Sequence, residues 1–415
     1  MKKLYAAVLL AAAVSLGAED LSPRVFELGF NLGADFANNY ISAAEVFKKT
    51  IEIDLAKEPT PLNFDFGAGF DFFINLNLKD KESNRDNMGF GIFAGLEALG
   101  EFSLSEDFQK FLQGNKLGKT YEGDIGTGGS VFLETGAHGY FHVKQFRISV
   151  RPSYYLPLAY MEPNTHYVLR TGDDGEVYVD FEYDLALYTP FDTGDTGDDV
   201  GDVMDAISKN PLKMNGTGGV DLGLAVDYPL LPKLTVGASL THIPLVPAHL
   251  VNKTLIQGGK TLESDNLLDK LINGGDLGDL LDDKTVTSTH DDIQVFRPFK
   301  FGINAVYTPF SFKMFSLALI PQMGYAYNAI YTNPHSFEAS AAARIGLFNI
   351  MRSNSLLGFT LKTGYEDKRW KHGLGLALNF RAVQIDLGVA VQSEDFVQSF
   401  KGAGLSANAG LRFGW

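Results

Sequence analysis

The chain has 415 residues, a formal net charge of −15 and no cysteine, so it has neither disulfides nor thiolate chemistry. Its acids gather in runs such as Asp192 to Asp202 and Asp276 to Asp283, and no basic stripe offsets them, which excludes nucleic acid as a partner. No stretch reaches the roughly 18–20 consecutive apolar residues of a transmembrane helix, although hydrophobic residues make up 45% of the chain.

The first residues, Met1-Lys2-Lys3 followed by Leu4 to Val14 and then Ser15-Leu16-Gly17-Ala18, give a basic start, a short apolar run and small residues for cleavage. That order predicts a secretory signal peptide over 1–18, leaving 19–415 as a single domain. An exported chain without helical spans is periplasmic, secreted or a membrane barrel.

From Phe26 onward the dominant period is two. Phe26, Leu28, Phe30, Leu32, Ala34 and Phe36 alternate with Glu27, Gly29, Asn31, Gly33 and Asp35. Phe64, Phe66, Ala68, Phe70, Phe72, Ile74 and Leu76 do the same with Asp65, Gly67, Gly69, Asp71 and Asn75. Further spans fall at about 88–104, 128–143, 145–161, 217–228, 233–243, 293–308, 314–327, 335–348, 356–366, 370–380, 382–393 and 402–415. In the last of them Leu405, Ala407, Ala409, Leu411, Phe413 and Trp415 share one face. A tilted strand needs roughly 9–11 residues to cross the hydrocarbon layer, with apolar side chains outward and small or polar ones inward. The sum predicts an all-β fold, a transmembrane antiparallel β-barrel of about fourteen strands.

Connection lengths agree with that count. With the first strand running outward, the periplasmic turns are short: 79–87, 143–144, 229–232, 309–313, 349–355 and 381–382. The extracellular connections begin with 38–62, 105–127, 162–216 and 244–292, all far longer, followed by 328–334, 367–369 and 394–401. Trp370, Trp415, Tyr160, Tyr228, Tyr307 and Tyr325 sit near strand ends, where interfacial rings belong.

Within the long loops the period changes. Ser105 reads as an N-cap followed by Phe108, Phe111 and Leu112 at helical spacing. Leu267, Leu268, Leu271 and Ile272 form a second apolar helical stripe, Leu277, Leu280 and Leu281 a third, and a short helix is expected over Val200 to Ile207. Tyr167 to Arg170 and Glu176 to Val179 flank Gly172-Asp173-Asp174-Gly175 as a hairpin. The extracellular loops are therefore expected to be folded, partly helical caps.

Motifs for chemistry are sparse. His138 and His142 share an inward phase but stand roughly 13 Å apart along one strand, too far to hold one ion. Asp192, Asp195, Asp198, Asp199 and Asp202 lack the spacing of a calcium hand and read as a solvated loop. There is no nucleophile elbow, phosphate-cradling loop or zinc-protease motif. We therefore expect no catalytic residue, no metal and no cofactor, and a protein that is not an enzyme. The inward phase does carry charge: Glu97, Glu101, Glu134, Glu338, Lys371 and Asp386, with the cations Arg147, Arg151, Lys300, Arg344, Lys362 and Arg412. These can brace the wall as cross-strand ion pairs, and the cations can receive an anionic headgroup in transit.

A barrel of about fourteen strands whose third and fourth outer connections are long, 162–216 and 244–292, and whose last strand closes on an aromatic residue resembles the FadL-type long-chain fatty acid and hydrophobic-compound transporters of the bacterial outer membrane. The resemblance implies a capture groove in those two loops, here Leu185, Leu187, Tyr188 and Phe191 with Leu267, Leu268, Leu271, Ile272, Leu280 and Leu281. It also implies a kinked third strand. Between Met88 and Leu104, Gly89, Gly91, Gly95 and Gly100 are frequent and Phe93 and Leu99 break the alternation, which is compatible with a bulge and equally with a strand facing loop residues inside. The family's N-terminal hatch has no counterpart between signal peptide and first strand, so either an inward-folded loop supplies the gate, with Tyr40 to Lys49 as candidate, or gating differs from the family's. The function implied by the resemblance is that of a monomeric channel for passive uptake of hydrophobic or amphipathic small molecules such as long-chain fatty acids. Its partners would be outer-membrane lipid, the ligand, and the barrel-assembly machinery during biogenesis. A general diffusion porin for small polar solutes, and a surface barrel whose loops bind an external partner, remain open alternatives.

Overall fold

The computed structural model describes residues 24–38, 62–79, 86–113, 118–171, 178–190, 216–263, 284–349, 355–380 and 382–415. The expected signal peptide, the Tyr40 to Lys49 and Val200 to Ile207 segments, Phe191, and the leucines and isoleucine between 267 and 281 lie outside those residues.

The strands in chain order are β1 (Phe26–Asn38), β2 (Leu62–Lys79), β3 (Asp86–Leu104), β4 (Thr120–Gly126), β5 (Gly129–Val143), β6 (Phe146–Met161) and β7 (Asn164–Thr171). Then come β8 (Tyr178–Thr189), β9 (Gly219–Leu231), β10 (Leu234–Val246), β11 (Ala248–Glu263), β12 (Lys284–Val295) and β13 (Phe299–Ser311). The last are β14 (Phe315–Tyr327), β15 (His335–Leu347), β16 (Leu357–Glu366), β17 (Arg369–Phe380), β18 (Val383–Ser393) and β19 (Gly404–Gly414). Two helices, α1 (Glu106–Gln113) and α2 (Phe396–Phe400), sit in connections.

Fourteen of these strands form a closed antiparallel ring in the order β1, β2, β3, β5, β6, β9, β10, β13 and then β14 through β19, with β19 returning to β1. Phe30 pairs with Phe72 on one side and Leu411 on the other, so β1 has no free edge. The alternation explains the register. Outward positions hold Phe66, Ile92, Leu374 and Val389, 54–59% exposed, while inward positions carry Gly, Ser, Asn and charged groups. A one-residue slip would exchange those faces on the whole strand. So much exposed apolar surface around a closed cylinder is stable only in hydrocarbon, and the barrel is a membrane-spanning one. Rings mark both rims: Trp415 stacks on Phe26 and Phe146 meets Tyr228 at the short-turn end, and Tyr365 packs on Trp370 at the other.

The expected strand at 293–308 is two elements, β12 and β13, parted at Phe296–Pro298, where proline removes a ladder donor. Pro157 and Pro309 likewise sit at register shifts in the β5–β6 and β13–β14 ladders. The β10–β13 ladder ends at Thr241↔Lys300, because His242 turns to a φ of 53° and β10 continues toward Val246 against β9 alone. By contrast β3 is not kinked. It pairs with β2 from Leu104 down to Met88 and with β5 from Gly100 to Met88 without a bulge. Phe93 fits this regular strand by pointing inward, where Gly136 leaves room for its ring, and Leu99 faces in beside Gly67.

The periodicity of the long connections predicts partly helical caps. Helix α1 is present, with the Ser105 Oγ accepting from Phe108 N at 3.3 Å as an N-cap. The hairpin is also present as β7 and β8, Thr171 opposite Val179 and Tyr167 opposite Tyr183. Otherwise the described parts of these loops are strands. β4, β7, β8, β11 and β12 form a sheet outside the ring, joined to the wall at Leu104↔Ile125 and Tyr160↔Tyr188.

An arginine at the outward Leu374, midway along β17, is expected to cost about 2–4 kcal/mol because its charge must enter hydrocarbon. Ser239→Ala, at an inward position, should stay within about 0.5 kcal/mol of wild type. Urea unfolding in lipid vesicles, followed by the fluorescence of Trp370 and Trp415, measures both.

Candidate functional site: the closed mouth of the barrel

In the ring, β14 and β15 stand across the lumen from β2 and β3. The connection between β14 and β15, Asn328 to Pro334, folds inward. Its own turn is held by Asn328, which donates from N to Pro334 O at 2.8 Å and accepts on Oδ1 from Ile330 N at 3.3 Å. That places Ile330 and Tyr331, 2% and 7% exposed, inside the mouth. On the far side Thr332 N donates to Glu101 Oε2 of β3 at 2.9 Å, and Thr332 Oγ1 donates to Pro163 O at 3.5 Å. Ile330 O sits so close to Gly128, just before β5, that a Cβ there would overlap it. Lys368, in the β16–β17 turn, lies 4.3 Å over the Tyr331 ring. The lumen is thus bridged from wall to wall at its long-loop end.

Two buried arginines organise the same end. Arg369 of β17 donates from Nε to Asp65 at 2.9 Å and from a terminal nitrogen to Asp35 at 2.6 Å. It reaches β1 and β2, three and four strands round the ring, so it is a chord rather than a neighbour pair. Arg297, in the β12–β13 connection, reaches Glu134 of β5 at 2.6 Å, Asp221 of β9 at 3.4 Å and Glu97 of β3 at 3.9 Å. Ser153 also donates to Asp221, and Arg151 donates to Glu134 at 3.1 Å while its guanidinium lies 3.9 Å over Phe93. Buried beside this group are Phe132, Tyr155, Ala186, Tyr188, Leu250 and Val295. Tyr155 Oη donates to Val295 O at 3.0 Å, and Tyr188 Oη to Glu162 at 2.9 Å, so their polar ends are satisfied while the rings pack.

The turns at this rim are electrostatically tuned. Burial opposes ionisation of Asp367, but Lys300 and Lys371 outweigh it and hold that carboxyl well below the usual carboxylate range. Burial lowers the Lys368 ammonium against the pull of Glu101 and Asp65. Burial, then the Asp65 charge, pushes Glu394 up to about 7, against a hydrogen bond of 2.6 Å from Asn63.

Inward cations named from the sequence meet carboxylates: Arg147 with Asp227 (3.6 Å), Arg151 with Glu134, Lys300 with Glu338 (3.3 Å), Lys362 with Glu366 (2.7 Å) and Arg412 with Asp386 (3.4 Å). Arg344 is half-buried on β15. Of the groove residues, Leu185 and Leu187 share one half-buried phase of β8, while Tyr188 faces the other way into the apolar cluster. Sequence reasoning passes over Arg297, Arg369 and the Asn328 to Pro334 turn. The Ile330-Tyr331 pair at the tip of a short turn is the one available sign, since apolar residues there need cover.

No family model and no curated protein matches the chain. Among solved structures it is similar to the Ralstonia pickettii toluene transporter TbuX, at 8% identity over 94% of this chain and 90% of that one, with a TM-score of 0.45. It is similar to the Pseudomonas putida toluene transporter TodX at 10% identity over 97% and 94%, TM-score 0.44. A Pseudomonas aeruginosa FadL homologue matches at 10% identity over 94% and 90%, TM-score 0.41.

Removing the Arg369 charge by Arg369→Met leaves Asp35 and Asp65 uncompensated, and a loss of about 3–5 kcal/mol is expected. Adding Asp35→Asn and Asp65→Asn should recover most of it in the same unfolding assay. For Glu394 the native value lies above the ordinary 4.5, so the folded state holds a proton the unfolded chain has lost. Its contribution to stability is complete below the ordinary carboxyl value and disappears as pH rises through about 7. Glu394→Gln should flatten the pH dependence of the urea midpoint across that window and leave the variant the more stable protein above it.

Proposed function

We propose that this chain is an outer-membrane channel for passive uptake of hydrophobic or amphipathic small molecules, long-chain fatty acids among them. The observation that carries the reading is the state of the mouth: a wall-to-wall bridge beside a packed aromatic and aliphatic cluster. A diffusion pore works by an open column of water. A lumen bridged in this way instead suits a cargo that binds before it passes. Apolar cargo also needs such a route, because the polar surface of the membrane repels it.

In this reading Leu185, Leu187 and Tyr188 of β8 lie on the path of capture, together with Phe191, Leu267, Leu268, Leu271, Ile272, Leu280 and Leu281 of the adjoining connections. Arg147, Arg151, Lys300, Arg344, Lys362 and Arg412 line the route below. Arg151, its side chain 48% exposed, is the lumen cation best placed to meet a headgroup. The ion pairs already formed there favour neutral or weakly ionised amphiphiles over bare anions, which would have to displace carboxylates. Passage is diffusion down a gradient, with no covalent step. The β1–β19 seam suits a client of the barrel-assembly machinery that works as a monomer.

A second reading draws on the inward face. Its glycines, serines, asparagines and paired charges are as hydrophilic as a pore for small polar solutes requires. Planar-bilayer conductance with fluorescent fatty acid binding separates the two. Small, intermittent currents and saturable binding that weakens about tenfold or more in Leu268→Asp/Leu271→Asp are expected. A large steady current, with binding unchanged in that variant, would replace the proposal with the polar pore.

A further inference from the structure

We propose that the Asn328 to Pro334 turn is the movable gate of the lumen, latched shut by Glu101; this rests on the channel reading above. Three observations converge on it. The turn is the described segment that joins β14–β15 to the opposite wall, and it does so without a strand ladder. Its attachments are one backbone donor to a side-chain carboxylate, Thr332 to Glu101, the weak Thr332 bond to Pro163, the Lys368 ammonium over Tyr331, and the packing of Ile330 on Gly128. Each is a contact that can be broken and remade without disturbing a wall strand. The strands that carry the turn are held to each other by the unbroken β14–β15 ladder, and the wall opposite by the buried chord of Arg369, which do not let go piecemeal.

The turn also has a hinge. Asn328 N bonds Pro334 O, so the residues between them form a small closed unit that can pivot on the ends of β14 and β15 while keeping its own turn. Swinging away would expose Ile330 and Tyr331, both buried when the gate is shut. Water penalises that exposure, and an apolar molecule seated in the mouth removes the penalty by packing against the same side chains. The gate is therefore biased open by hydrophobic cargo and shut in its absence. Gly128 sets the fit, because a side chain at that position would occupy the space taken by Ile330 O.

The absence of native cysteine makes the test direct. Full-length Glu101→Cys/Thr332→Cys is reconstituted in vesicles and planar bilayers and treated with a short reducible bis-thiol crosslinker. Ion current and entry of a hydrophobic fluorescent dye are read before crosslinking, after it, and after reduction. Gly128→Ala, which pushes the turn away instead of tethering it, is measured alongside. The expected result is that both fluxes fall to background on crosslinking and return on reduction, and that Gly128→Ala passes severalfold more than wild type. Failure of the crosslink to form, equal fluxes before and after it, or a Gly128→Ala flux no higher than wild type would overturn the gate. If crosslinking stops ions and the dye never enters by any form of the protein, the gate stands and the hydrophobic-cargo reading falls. If dye enters equally in every form, the cargo reading stands and the gate falls.

Discussion

Hydrocarbon supplies no partner for a peptide N–H or C=O, and each one left bare there costs several kcal/mol. Everything else in this protein depends on meeting that demand with strands. The ring must close, so β1 pairs with β19 from Glu27 to Phe36 as well as with β2 from Phe26 to Asn38. Closure fixes register, register fixes which residues face lipid, and the inward phase is then free to hold charge. Buried ion pairs such as Arg369 with Asp35 and Asp65 are tolerable because ring closure delivers the acids to the arginine already oriented.

Charge in the lumen is arranged as chords as well as rungs. Pairs such as Arg412 with Asp386 join neighbouring strands and stiffen the wall locally. Arg297 and Arg369 reach strands that are not their neighbours, and both lie at the long-loop end. The mouth is thus braced across strands that are not neighbours, and the Asn328 to Pro334 turn is the lightly held part within it. A rigid frame around one weakly attached element is a sound arrangement for controlling passage, since the frame keeps its shape whichever position the element takes.

How far the residues alone reveal this architecture depends on which solvent each segment meets. The wall strands announce themselves, because lipid on one side and a polar lumen on the other enforce strict alternation, as in Phe64 to Leu76. The strands β4, β7, β8, β11 and β12 stand above that environment. A segment such as Lys284–Val295, rich in threonine and aspartate, turns apolar residues to the packed cluster only at Ile293 and Val295, and periodicity does not mark it. The site is less legible still. Arg369 and Asp65 are 304 positions apart, and Arg297 and Glu134 are 163 apart, so proximity arises only when the ring closes. The glycines of β3 suggest a kink, yet on this straight strand Gly89, Gly91 and Gly95 make room for the inward side chains of Tyr140, His138 and Glu134, and Gly100 for the outward ring of Phe66.

The early end of the β10–β13 ladder at Thr241↔Lys300 has a mechanical meaning. Beyond it, the last residues of β10 lean on β9 alone, so the cylinder carries a notch in its rim at that seam. Stress applied to a closed tube concentrates at such a notch. If the tube is ever torn, by force or by extraction from the bilayer, the rip should start there and run down between these two strands.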